Sequence, residues 1–443
     1  VSAAAARLLG LYPQRQEGRW MQRVKIPGGI LMHEQWRALA DLCRRYTPSA
    51  PLLLTTRQDI EFHNLNTETI PLLQAELAHA GLTTVGACGD TLRNITLCPG
   101  SGLCRDAPDL IPAARALGSL LESFSGIYSL PRKFKISLSA CARACAQPWI
   151  NDLGFVIFSE KGSLHVTAIG AGSLGPRPAT GMLLYENLPA QDICALSLAA
   201  IRVFDTHGNR ENRGKARLRH VREHLGNAQF HALLDSELRA VKNKIRPPSV
   251  SVICPELNLT HALDLNPVCG MITPEHAEAI ADLARSKDVV VRPQNHHRLS
   301  LFARDAATAR AAIEKNPSLK QLAHGPDIVS CPGTTYCSSA LVNTHAVEKA
   351  LREQVQVPAA GHHAIRISGC PNGCAQSAVA GIGLTGKIRK DSGGSRVQGF
   401  SVVTSGGMGK TPVLACREID FISAEHVPEL VKRLIAQYAG DYP

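Results

Sequence analysis

The strings GGILMHEQWRALADLCRR, residues 28 to 45, and CGMITPEHAEAIADLARS, residues 269 to 286, decide how this chain is built. A glycine, an acidic residue and an Ala-(Leu/Ile)-Ala-Asp-Leu core fall in register in the two, 241 positions apart. Apolar residues at three-to-four spacing predict a helix in both copies. A β-like run follows each, PLLLTTRQDI at 51 to 60 and DVVVRPQNHH at 288 to 297. Internal duplication is the economical explanation.

Composition bounds the rest. At 443 residues with 44% hydrophobic content, the chain exceeds one core and predicts two to four compact units. A formal charge of +11 suits clefts that attract anions. No dense Lys/Arg run with interleaved aromatics exists, and Phe, Tyr and Trp make up only 5%, which disfavours nucleic acid as a partner. No run of eighteen apolar residues occurs, and VSAAAARLLGLYPQRQEGRW lacks the pattern of an export signal. A soluble, cytoplasmic protein with no membrane partner is the expectation.

The cysteines repeat as well. LCPGSGLC supplies Cys98 and Cys104, and SACARAC supplies Cys141 and Cys145; SCPGTTYC supplies Cys331 and Cys337, and SGCPNGC supplies Cys370 and Cys374. Each half thus carries Cys-x5-Cys followed by Cys-x3-Cys. Four soft thiolates meet the ligand needs of a [4Fe-4S] cluster and could also hold tetrahedral zinc, although zinc pairs usually leave only two to four residues between ligands. Buried or redox cysteines are the remaining reading. Cys43, Cys88, Cys194, Cys254, Cys269 and Cys416 are scattered, and buried core thiols are expected there.

Cations form the next pattern. Arg57 lies in LTTRQDI, Arg93 in TLRNITLC, and Arg132, Lys133 and Lys135 in LPRKFKISLS. Residues two apart share a strand face, so Lys133 and Lys135 can enter one cavity while Phe134 packs behind them. Converging cations suit an oxyanion undergoing reduction, because they hold it and stabilise charge on its oxygens. An exposed basic strand is the plain alternative.

Taken together, MQRVKIPGG, LTTRQDIEFH, LRNITLCPG, LPRKFKIS, the second cysteine quartet and RISGCPNGCAQSAVAGIGLTG resemble the sirohaem-dependent nitrite and sulfite reductase family over residues 20 to 440. The resemblance implies an α+β, internally duplicated fold, with two ferredoxin-like lobes packed together plus two larger α/β sirohaem-cluster domains. The implied units are residues 1–86 and 246–318 for the lobes, 87–245 for a domain supplying cations, and 319–443 for a domain carrying the sirohaem-linked cluster. It makes Cys331, Cys337, Cys370 and Cys374 the cluster ligands, with Cys374 bridging to sirohaem iron. Arg57, Arg93, Lys133 and Lys135 become substrate-binding cations, and Gln58, Asn94, Arg132 and Asn372 cofactor contacts. The implied reaction is six-electron reduction of sulfite to sulfide or nitrite to ammonia. Neither a ferredoxin-type cysteine run nor a convincing flavin or nucleotide domain is present in the sequence, so electrons are expected from a separate ferredoxin or flavoprotein. A homo- or hetero-oligomer is open. A cobalamin-pathway oxygenase resembling precorrin-3B synthase and a non-catalytic iron-sulfur carrier are the alternative functions.

The first quartet departs from simpler family members and resembles the dissimilatory sulfite reductase branch. Its mirror site lacks charge. Arg93 lies five residues before Cys98, where Pro326 precedes Cys331; Lys133 and Lys135 correspond to His362 and Ala364; Arg292 reads as the counterpart of Arg57. The expectation is one catalytic centre on the second quartet and a second [4Fe-4S] cluster on the first, with zinc, an inactive haem or a metal-free vestige also open.

Weaker signals point to structure. GAGSLG at 170–175 and GIGLTG at 381–386 match Gly-x-Gly-x-x-Gly without the strand-helix context of a nucleotide site, and their similar places after each cysteine pair suggest tight turns or backbone near a cofactor. TSGGMGKTP reads as a turn between strands. The doublets His296/His297 and His362/His363 read as surface or structural. AEHVPELVKRLIAQYA spaces Val427, Leu430, Val431, Leu434 and Ile435 for core packing.

Overall fold

A computed structural model describes residues 2–105, 107–160, 163–244, 259–323, 325–357 and 364–439. Cys254, His362 and His363 lie outside them.

Four sheets follow the duplication. In the first lobe, strands β1 (Leu11–Pro13), β2 (Trp20–Val24), β3 (Leu52–Leu54) and β4 (Ile60–Leu65) line up as β1-β2-β4-β3, all antiparallel. The next sheet comprises β5 (Thr96–Leu97), β6 (Ile136–Ser139), β7 (Leu153–Glu160), β8 (Ser163–Gly170) and β9 (Met182–Tyr185) in sequential order. The second lobe has β10 (Thr260–Leu265), β12 (Val289–Pro293) and β13 (Leu299–Ala303) in the order β10-β13-β12, which repeats β2-β4-β3. Between β10 and β12, the short β11 (Met271–Ile272) crosses to pair with Leu53 and Leu52 at the edge of the first lobe. The last sheet, β14 (Ile328–Ser330), β15 (Ile365–Ser368), β16 (Ile382–Lys390), β17 (Arg396–Thr404) and β18 (Cys416–Ser423), repeats the second. In both, two parallel pairings are followed by two antiparallel ones.

The two repeated helices, His33–Tyr46 and Pro274–Leu283, are where the lobes meet. Trp36, Leu39, Ile280 and Ala281 are fully buried within one core that draws on both lobes. Arg44 pairs with Glu275 and Glu278, and Arg37 with Asp282, along the exposed edge. Such exposed pairs contribute little beside the apolar seam. Even the turn entering each helix is copied: Gly28 and Gly29 have φ of 64° and 71°, Cys269 and Gly270 have 55° and 70°.

Several expectations hold. Val427, Leu430, Val431 and Leu434 are buried in the last helix, Val427–Ala439, with Ile435 packed against them. TSGGMGKTP is a bend after β17. Others need correction. Cys43, Cys88, Cys194 and Cys269 are buried, but Cys416 is exposed because it opens β18 at a sheet edge. GIGLTG enters β16, whereas GAGSLG leaves β8. The true counterpart of GAGSLG is the bend after β17: Ala171 and Ser405 are left-handed at 58° and 61°, and the Ser173–Ala179 bridge recurs as Gly407–Val413. Of the surface or structural reading of His296 and His297 the structural half fits: His297 is buried, His296 is partly so, and burial lowers the pKa of both, that of His297 to about 4.

Truncating Ile280 to Ala at the shared seam is expected to cost about 2–5 kcal/mol. A lowered urea midpoint checks it, and because the core is common the two lobes should shift together.

Candidate functional site

Parallel pairing explains why the cysteines converge. Cys98 directly follows β5 and Cys141 lies just past β6; Cys331 directly follows β14 and Cys370 lies just past β15. Each quartet therefore gathers at the carboxyl ends of adjacent parallel strands, the usual ligand end of such sheets.

Main-chain N–H groups face the sulfurs. Gly369 N–H donates to Cys331 Sγ at 3.1 Å, Asn372 faces Cys370, and Ser339 and Ala340 face Cys337. The Asn-Gly bend has the expected tight form, with Gly373 at φ 66°. Its copy puts Ala144 at φ 55°, a conformation that costs an L side chain more than glycine.

The second quartet opens into a cavity of about 480 Å³. Cys331, Cys337, Cys370 and Cys374 share its wall with Arg57, Arg93, Lys133 and Lys135 from the other half. Arg132 and Asn372 also line it. Gln58 and Asn94 do not. Gln58 is fully buried, donating to Leu97 and Pro293 carbonyls at 2.8 and 2.9 Å, and Asn94 donates to the carbonyls of Ile26 and Arg57 at 2.7 and 2.9 Å. These amides hold the wall from behind rather than facing a cofactor.

The cations differ in freedom. Arg57 donates to Asn151 Oδ1 at 2.8 Å, to Ile136 O at 3.1 Å and to Asn94 O, so most of its guanidinium is spent on scaffold. Arg93 donates to Ala87 O, and the Nε of each arginine is buried without a partner. Lys133 and Lys135 flank the fully buried Phe134, which packs on Phe204 with centroids 5.6 Å apart, as the alternation predicts. Burial, then the nearby Arg217, pushes Lys133 down to about 7; burial and Arg57 hold Lys135 well below its usual range. Lys133 is thus poised to gain or lose a proton near neutrality, and burial eases proton release from Lys135 as well.

Counter-charge sits behind them. Asp152, fully buried, accepts from Arg217 at 2.6 and 3.0 Å and from the Lys135 N–H at 2.8 Å. Arg23 is a cavity cation that the motif reading passed over: it lies on β2 opposite Glu61 on β4 and pairs with it at 2.6 Å. Burial alone would raise Glu61, but Arg23 and the His63 hydrogen bond hold it at about 2. The signal for Arg23 was its place in MQRVKIPGG, one strand across from the acidic residue of DIEFH.

Across a pseudo-twofold axis lies the mirror cavity, about 240 Å³, lined by Cys145, Arg143, Gln294, Asn295, His296 and Met408 among others. Gln147 and Gln376, each two residues past a quartet's last cysteine, exchange hydrogen bonds of 2.7 Å at the axis. The loops cross over: Leu174 of the first half reaches the larger cavity, and Met408 of the second reaches the mirror one. His296, not Arg292, occupies the place of Arg57. Thr55 N bonds Asp59 O around Arg57 just as Gln294 N bonds Arg298 O around His296, with Gln58 and His297 both left-handed. Arg292 instead donates to the carbonyls of Pro99 and Ser101 at 2.9 and 2.6 Å.

The larger cavity suits a polyanionic tetrapyrrole beside an iron-sulfur cluster: four cysteine sulfurs and the half-buried lysines line it together, with the buried arginine Nε groups close by. Comparison with known proteins agrees. Residues 88–242 and 326–442 match the nitrite and sulphite reductase 4Fe-4S domain, and residues 12–80 the nitrite/sulfite reductase ferredoxin-like half domain. The chain is 28% identical to a ferredoxin-nitrite reductase of Synechococcus elongatus, over 96% of this chain and 87% of the relative. It is 26% identical to a ferredoxin sulfite reductase of Mycobacterium tuberculosis, over 90% of this chain and 79% of the relative. The solved structure of Mycobacterium tuberculosis NirA protein shares the fold, with a TM-score of 0.82 at 22% identity, covering 97% of this chain and 86% of that one. With more than half of its residues inside the 4Fe-4S domain match, the chain belongs to the nitrite and sulphite reductase family.

Proposed function

We propose that this protein reduces a small oxyanion by six electrons, nitrite to ammonia or sulfite to sulfide, drawing electrons from a ferredoxin, with a flavoprotein as the other donor class. The observation that carries this is the meeting, in one cavity, of four cysteines from the second half and cations from the first. Ferredoxin-dependent relatives of both substrate classes support it. Our reading of the domains keeps the units 1–86, 87–245, 246–318 and 319–443.

Cys331, Cys337, Cys370 and Cys374 would hold the [4Fe-4S] cluster, with Cys374, exposed in the cavity wall, as the bridge to sirohaem. When bound, the two cofactors supply the redox chemistry. The chain's residues do the rest. Arg132 and Asn372 would hold sirohaem's polar rim. Arg23 and Arg93 present fixed charge to the anion, while Lys133 and Lys135 bind its oxygens and release protons from Nζ as those oxygens become better bases. Asp152 fixes the Lys135 main chain and holds the Arg217 guanidinium in the cavity wall.

Steady-state assay with an artificial reductant tests the reading: sulfide from sulfite or ammonia from nitrite is expected, and formation of neither rejects it. Lys133→Gln is expected to lower turnover by about 10²–10⁴-fold while the chlorin-like spectrum stays intact; loss of sirohaem from a folded Lys133→Gln variant would remove its assigned role. A pH series supplies the third check. Lys133 is charged below about 7 and neutral above it, so anion affinity falls as pH rises through that value. KM should climb on the alkaline side, and Lys133→Arg, charged throughout, should flatten the rise.

A further inference from the structure

We propose that Cys98, Cys104, Cys141 and Cys145 hold a second [4Fe-4S] cluster, one without a tetrapyrrole, which stores a single electron for the catalytic centre. This rests on the second quartet being the catalytic iron-sulfur site.

The main-chain frame is the first argument. Both quartets occupy the same strand ends of sheets with the same pairing pattern. Both are also cradled by the same N–H groups: Ala140 faces Cys98 as Gly369 faces Cys331, and Arg143 faces Cys141 as Asn372 faces Cys370. Such N–H groups stabilise sulfur-bound negative charge and favour the reduced cluster. Chance thiols in a core have no use for them.

The second argument is the sulfurs. Cys98, Cys141 and Cys145 bring Sγ atoms within 4.8 Å of one another, with Cys98 and Cys145 at 2.8 Å and Cys141 and Cys145 at 3.5 Å. Rotation about one χ1 carries a sulfur by on the order of 3 Å, so this frame can present the same thiols at separate cluster corners. Charge is provided for as well. The Arg143 guanidinium hydrogen-bonds Cys141, and Arg292 clamps the Pro99–Ser101 segment between Cys98 and Cys104.

Among the described residues the mirror side offers less room for a tetrapyrrole and its substrate, and the arginine in its lining, Arg143, is engaged by Cys141. Its cavity is about 240 Å³ against about 480 Å³. His296 stands where Arg57 would be, and Pro326 and Ala364 replace Arg93 and Lys135. Arg298 and Arg366, which could have supplied charge, are both bound to Asp327.

The route between the centres is short. Cys145 and Cys374 are each two residues from the Gln147–Gln376 amide pair, so the quartets are joined across the axis by two brief stretches of chain and one pair of hydrogen bonds. A cluster held by these four thiolates would take one electron from reduced ferredoxin and hand it on to the catalytic centre, with no bond made or broken.

Non-haem iron, acid-labile sulfide and zinc counted per chain in the sirohaem-containing protein test this. About eight non-haem irons without zinc are expected, four per cluster; about four irons, or a zinc ion in their company, overturns the second cluster. Cys98→Ser/Cys145→Ser should then halve iron and sulfide and delete one reduced-state paramagnetic signal, leaving the chlorin-like absorption in place. Unchanged iron in that variant also overturns the proposal. A protein with no sirohaem absorption would reject the catalytic reading instead, whatever its iron count.

Discussion

Like charges resist being gathered, and this cavity gathers many. Arg23, Arg57, Arg93, Lys133, Lys135 and Arg217 share one wall. Two unit charges 4 Å apart repel by about 4 kcal/mol at the effective dielectric of a protein surface. Asp59 and Glu61 in the lining and Asp152 behind it offset part of this, while burial first and the neighbouring cations second depress the two lysines. What remains favours an anionic occupant. The wall has to be held rigid against its own repulsion, which is the work of the Gln58, Asn94 and Asn151 hydrogen bonds and of the shared core beneath.

The duplication makes this possible by dividing labour. One copy of the repeated sheet presents cations from the segments leading into its strands, and the other presents thiolates from the ends of its own. Because loops near Leu174 and Met408 cross the axis, neither half closes a cavity by itself. The helix seam in the lobes and the glutamine pair at the axis set how the two faces meet.

Much of this was legible in residue strings. The cysteine spacings located both quartets, and the Lys-Phe-Lys alternation fixed which side chains face the cavity, because spacing along a strand is geometry. Register between copies was less readable. Arg57 lies 24 residues after His33, whereas its counterpart His296 lies 22 after Pro274, and an arginine in a similar string drew attention to Arg292 instead. Gln58 and Asn94 sit beside true cavity residues, but their side chains turn to backbone carbonyls, a choice made by tertiary partners that no local pattern reveals. Arg23 was hidden for a related reason: only the pairing of β2 with β4 shows which way it faces. The placement of the glycine motifs failed because Gly-rich strings mark bends without saying which bend.

The crossing loops have a consequence for how such a chain changes over time. Two separate subunits with exchanged loops would each need to keep both faces of every interface, since one gene would serve both sides. Fusion removes that bond. A change at His296, which lines the mirror cavity alone, alters one side and leaves the lining of the larger cavity untouched. Ala144, left-handed where the other copy has the left-handed Gly373, records the same licence in the backbone. A linked pair of halves that share one topology is therefore free to become an enzyme on one side and something else on the other.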